Sequence, residues 1–155
     1  MGTIEIRSVP PETPELRLLI GELDEYLLEL YPAEEVFGVD FGDPSLSEVR
    51  FSVAYADGQA VGCGAFRPLD GESAELKRFY VHPDYRRQGI AEAILLRLEQ
   101  QAREQGHSCM RLEAGEPQQA AIRFYIKQGY YPIPSFGEYA ECPSSVCYEK
   151  RLGPS

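Results

Sequence analysis

"YRRQGIAEAILLRLEQQ", Tyr85 to Gln101, runs from two arginines through a small-residue turn straight into a helical pattern. Ile90, Ile94, Leu95, Leu98 and Ala102 share one face of a helix predicted from about Gln88 to Gln105, closed by Gly106. A helix start leaves about four N–H groups unpaired and carries the positive end of the macrodipole. Gly89 has no Cβ and Ala91 almost none, so an anion can approach the amides of Arg87, Gln88, Gly89, Ile90 and Ala91. Arg86 and Arg87 add charge-assisted donors. The chain as a whole has a formal net charge of −10, so this cationic point stands out. A diphosphate is the expected occupant.

Working outward, "AELKRFYV" before the turn reads as a strand that Pro83 ends. Ahead of it, "VRFSVAYADGQAVGCGAFRPL" is a hairpin around Asp57-Gly58, and "DGES" makes the next turn. At the N-terminus "TIEIRSV" alternates as a first strand. Leu16, Leu19, Ile20, Leu23, Leu27 and Leu30 then form one stripe of an amphipathic helix over Glu12–Tyr31, stopped by Pro32. Residues 33–47 read as an irregular loop, either a lid or a segment pinned by Phe37 and Phe41. After the central helix, "SCMRLEA" is a strand, "PQQAAIRFYIKQ" a short helix stopped by Gly129, and "YYPI" and "SSVCYEKRL" two late strands. The order is β-α-βββ-α-β-α-ββ, with no repeat or linker, in a single domain over 1–155 with a core of about 3–152.

With 155 residues, the chain is long enough for one real core. Its acidic balance argues against nucleic acid. No apolar run reaches the roughly 20 residues of a membrane span. Nothing at the N-terminus resembles a signal peptide, so the cytoplasm is the default location. Cys63, Cys109, Cys142 and Cys147 lack zinc-site spacing and read as free thiols; no metal is expected.

The motif Arg86-Arg87-Gln88-Gly89-Ile90-Ala91 resembles the acetyl-CoA signature of the GCN5-related N-acetyltransferases, Gln/Arg-x-x-Gly-x-Gly/Ala. "AELKRFYVHPDYRRQGIAEAIL" is similar to that family's fourth strand and following helix. "AAIRFYIKQGY" is similar to its later helix, with Ala121, Tyr125 and Gly129 in place. "RLEAGEPQQ" resembles a bacterial subgroup with a Leu-Glu-Thr-Gly signature, with Ala114 replacing the Thr. The resemblance implies an α/β (α+β) fold with a mixed, mostly antiparallel sheet flanked by helices. It also implies acetyl-CoA as co-substrate. Gln118 stands where many relatives have Asn, on the pantetheine arm.

Acetyl transfer to an amine needs a base, donors for the carbonyl oxyanion and an acid for the departing thiolate. By resemblance Glu75, eleven residues before Arg86, is the base, with Glu113 on the next strand as rival. Tyr125 is the acid. Phe79, Tyr80 and Val81 offer backbone to the pantetheine arm, by the logic of strand addition. In a strand without a bulge, Glu75, Lys77, Phe79 and Val81 share one face, and Glu75 to Val81 spans roughly 20 Å. Arg67, Lys77 and Tyr139 are candidates to hold an acceptor carboxylate while Glu75 and Glu113 meet the amine. No cysteine has an evident base partner, so direct transfer in a ternary complex to a small, amino-acid-like amine is expected. A protein or peptide amine, or a non-catalytic acyl-CoA sensor, are the alternatives. Oligomeric state is open, a homodimer included.

Overall fold

The computed structural model describes residues 4–30, 47–115, 117–140 and 145–153. All but the last residue of the expected 33–47 loop lies outside them. The elements are β1 (Ile4–Val9), α1 (Pro14–Leu30), β2 (Arg50–Ala56), β3 (Gln59–Pro68), β4 (Ser73–Val81), α2 (Ile90–Glu104), β5 (Cys109–Gly115), α3 (Gln119–Lys127), β6 (Tyr131–Ile133) and β7 (Ser145–Arg151). This is the expected order. Two helices start later than the periodicity suggests. Pro14 occupies the first position of α1, where its missing N–H is harmless. Gly89, at φ +81°, is left-handed and cannot be a helical residue, so α2 begins at Ile90.

The seven strands form one sheet in the order β1-β2-β3-β4-β5-β7-β6. Among the described residues its only parallel pairing is β4 with β5, Ser73–Glu75 against Cys109–Arg111. Beyond Glu75 and Arg111 neither strand pairs with the other, and this break in the ladder is the β4–β5 cleft. One core cluster joins Leu16, Leu19, Ile20 and Leu23 of α1 to Phe51, Val53, Cys63, Ala65 and Tyr80. The other packs Ile90, Ile94, Leu95 and Leu98 of α2 and Ile122 and Tyr125 of α3 on the opposite face. Fixed by these two clusters, α1 covers one face of the sheet and α2 and α3 the other.

A bulge in β4 decides which side chains face which helix. Cys63 pairs with Tyr80 but Ala65 with Lys77, so Arg78 and Phe79 together oppose Gly64. Arg78 takes up the extra residue at φ +50°, a left-handed conformation that costs a non-glycine residue about 1–2 kcal/mol. Before the bulge Glu75 and Lys77 face α1; after it Phe79 and Val81 face α2, while Arg78 and Tyr80 stay toward α1. The expectation that Glu75, Lys77, Phe79 and Val81 share one face is therefore corrected. Gly62 and Gly64 make room opposite the bulge. A Cβ on Gly64 would meet Leu98 Cδ1 at 2.8 Å, and one on Gly62 would meet the Tyr80 carbonyl at 2.9 Å.

Candidate active site

The site divides along the cleft. On the α2 side is the anion turn. His82 Nδ1 accepts the Asp84 N–H at 3.1 Å, starting a short 3-10 turn over Pro83–Tyr85. Arg87 at φ +65° and Gly89 at φ +81° follow. Such left-handed residues turn successive N–H groups to one side, a concavity that takes anions. No side chain caps α2, and a Cβ on Gly89 would meet nothing within 4 Å. The first amides of α2 therefore remain open, with Arg87 and Gln88 exposed beside them and Ala91 half-buried. Arg86 is partly committed to the fold: its Nε donates to the Val81 carbonyl at 3.0 Å, tying the turn to the end of β4.

Tyr125 also lies on this face, buried among rings. Phe79 and Tyr130 each lie at 5.9 Å between centroids, and Phe124 at 5.6 Å. Burial, with the charge of Glu113 adding, pushes its phenol above the usual range, so it stays protonated. Tyr130 is held in turn by Glu99, which accepts from its hydroxyl at 2.8 Å and from Lys150 Nζ at 3.0 Å. Gln118 does not reach outward through its oxygen: Oε1 accepts the Gly115 N–H at 3.1 Å and closes the turn into α3.

On the α1 side a row of polar residues crosses the sheet in register. Arg67 pairs with Glu75, Glu75 with Arg111, Arg111 with Glu149 and Glu149 with Tyr131. Signs alternate from Arg67 to Glu149. Glu75 is 0 % exposed and both its oxygens are engaged. Arg67 reaches Oε1 through Nε at 3.0 Å and Nη2 at 2.7 Å, and the Tyr139 hydroxyl donates to Oε2 at 2.6 Å. Arg67 and Tyr139, expected to meet an acceptor carboxylate, thus already hold a carboxylate of the protein. Their bonds also tie the Gly137–Tyr139 turn over the sheet, where Phe136 lies edge-on to Tyr139 at 5.5 Å.

Glu113 stands two residues beyond Arg111 on the same face, opposite Cys147. Ser145 Oγ donates to its Oε2 at 2.8 Å. Its carboxyl is raised above the ordinary value, chiefly by burial and further by Glu75, against the opposing Ser145 bond and the charges of Arg78 and Lys77. A carboxylate raised in this way is a better proton acceptor near neutral pH. Cys147 is pushed up by burial, with Glu113 and Glu75 adding, and Cys63 is pushed up to about 12 by burial; neither is an activated nucleophile.

Two residues here escaped the sequence reading, Ser145 and Arg78. Arg78 is 9 % exposed, and its Nη1 pairs with Asp24 of α1. Its Nε is buried and has no partner among the described residues. A buried unsatisfied donor costs about 1–3 kcal/mol. Nothing in "ELKRFY" signals it, because the bulge that turns Arg78 toward α1 depends on Gly64 across the ladder.

A strand, an anion turn at a helix start and a cleft between parallel strands, with titratable groups on both sides, define a group transferase that takes an extended anionic donor. The chain belongs to the acetyltransferase (GNAT) family, whose profile matches residues 15–130. It is similar to the IAA acetyltransferase of Azospirillum brasilense, 38% identical over 153 residues, covering 98% of this chain and 100% of that one. A Klebsiella pneumoniae structure assigned as an acyl-CoA N-acyltransferase is 32% identical with a TM-score of 0.83, over 97% of this chain and 99% of that chain. The PaiA N-acetyltransferase of Thermoplasma acidophilum, solved with coenzyme A, shares the fold at 22% identity and a TM-score of 0.69, over 96% and 99% of the two chains. This chain is a GNAT acetyltransferase. Among the described residues no helix is long and apolar enough to cross a membrane.

Proposed function

We propose that the protein transfers acetyl from acetyl-CoA to the primary amine of a small, amino-acid-like acceptor by direct attack. The carrying observation is the division of the site by the β4–β5 cleft: open amides and Tyr125 on one face, buried carboxylates on the other. The coenzyme supplies the activated thioester; Arg87 to Ala91 hold its phosphates and the backbone of Phe79, Tyr80 and Val81 flanks its arm. The Val81 carbonyl is taken by Arg86, so that strand end offers its other groups.

The acceptor enters from the α1 side. Its nitrogen forms the new C–N bond as the C–S bond breaks. Glu113 takes the proton from nitrogen and Tyr125 supplies one to sulfur, so neither charge accumulates. Glu75, with both oxygens occupied, is assigned to holding Arg67 and Tyr139 in place. The raised thiols favour direct transfer over an acetyl-cysteine intermediate. A relative named IAA acetyltransferase supports a small-molecule acceptor. A screen of acetyl-CoA consumption across amino acids, polyamines and lysine peptides tests the reading. Turnover is expected on at least one amino-acid-like amine. Turnover confined to peptides would overturn it.

A further inference from the structure

We infer that Arg78 is the residue that recognises the acceptor, by binding its carboxylate, and that the acceptor is an amine carrying a carboxylate close by. The inference rests on the acetyl-transfer reading and adds a specificity residue to it. Three observations converge. Arg78 is held toward α1 in a left-handed conformation inside a strand, so the fold tolerates strain to present it there. Its guanidinium is buried, yet Nε has no partner among the described residues, and Asp24, the acid it pairs with, is 34% exposed. A guanidinium carries five donors in a fork that matches a carboxylate, and one acid does not exhaust it.

Position completes the case. Glu75 and Arg111 are the last pair of the parallel ladder, and Arg78 lies three residues beyond Glu75 and Glu113 two beyond Arg111. Arg78 and Glu113 thus both lie on the α1 side, just past the end of the ladder, and the charge of Arg78 reaches Glu113. A cation with a spare donor beside an anion that accepts a proton suits a molecule with an amine and a carboxylate. Arg67 and Tyr139 do not compete for this role, because both are bonded to Glu75.

The test pairs the standard α-amino acids with their α-carboxamides as acceptors, at saturating acetyl-CoA. The wild type is expected to favour acids over carboxamides by at least about tenfold in kcat/KM. Arg78→Gln should raise KM for the acid by about tenfold and leave the carboxamide unchanged, and Arg78→Lys should keep part of the preference. The comparison of acids with carboxamides in the wild type needs no variant and serves if the Arg78 variants fail to fold. Equal use of acids and carboxamides by the wild type, or equal loss on both in Arg78→Gln, would overturn the assignment. Coenzyme A binding in the same preparations separates the two levels. Binding without a preference for acids refutes the Arg78 assignment alone, whereas no binding refutes the reading beneath it.

Discussion

Replacing Glu113 by Gln is expected to lower kcat/KM by about 10²–10⁴-fold and to remove the acidic limb of the pH–rate profile. In the wild type that limb should lie above the ordinary carboxylate range, because burial raises this carboxyl. The same shift fixes a sign for stability. The folded state holds the Glu113 proton more tightly than the unfolded chain does. Between the ordinary carboxyl pKa and the raised one, stability therefore falls as pH rises. Above the raised pKa the ionised, desolvated carboxylate opposes folding, so there Glu113→Gln should melt higher than wild type. That advantage should shrink as pH falls into the ordinary carboxylate range. The amide keeps an acceptor for Ser145. Glu75→Gln is the contrast: it weakens the bonds to Arg67 and Tyr139, should cost about 2 kcal/mol in urea unfolding, and should keep the acidic limb. A limb lost in Glu75→Gln and kept in Glu113→Gln would exchange the two roles.

Tyr125→Phe is expected to lower kcat by about 10²-fold or more, with KM for acetyl-CoA nearly unchanged. The substitution removes one oxygen from a ring held by Phe79, Phe124 and Tyr130, so the packing survives. Because burial and Glu113 keep the phenol protonated, Tyr125 remains a donor throughout the assay range and the variant should retain the wild-type acidic limb. Steady-state rates against pH, with a thermal melt as control, read both effects. Unchanged turnover on a true acceptor would remove Tyr125 from the chemistry.

Much of the architecture was legible in local patterns. The stripe Leu16–Leu30, the Asp57-Gly58 turn and the run from Ile90 to Ala102 each announce an element through spacing alone, and the element order follows. The missing Cβ of Gly89 was legible, but not its positive φ, which moves the helix start from about Gln88 to Ile90. The acceptor side was not, because it is built from partners distant in sequence. That Arg67 and Tyr139 would converge on Glu75 depends on a strand ladder and on a turn 64 residues away. The bulge was invisible too. It follows from Gly62 and Gly64 letting α2 come close, and it reverses the face of Phe79 and Val81 relative to Glu75. One inserted residue in a strand moves every later side chain across the sheet, so alternation counted from Glu75 fails at Arg78.

Everything functional depends on the coenzyme's phosphates docking on the amides that follow the Pro83–Tyr85 turn. Calorimetric titration with coenzyme A, in wild type and in Gly89→Val, tests this most directly. The wild type should bind one equivalent, more weakly as salt rises. The variant should bind at least about tenfold more weakly, since its side chain strains the left-handed turn and stands before the open amides. Absence of binding to the wild type, or equal binding by both proteins, would contradict the account.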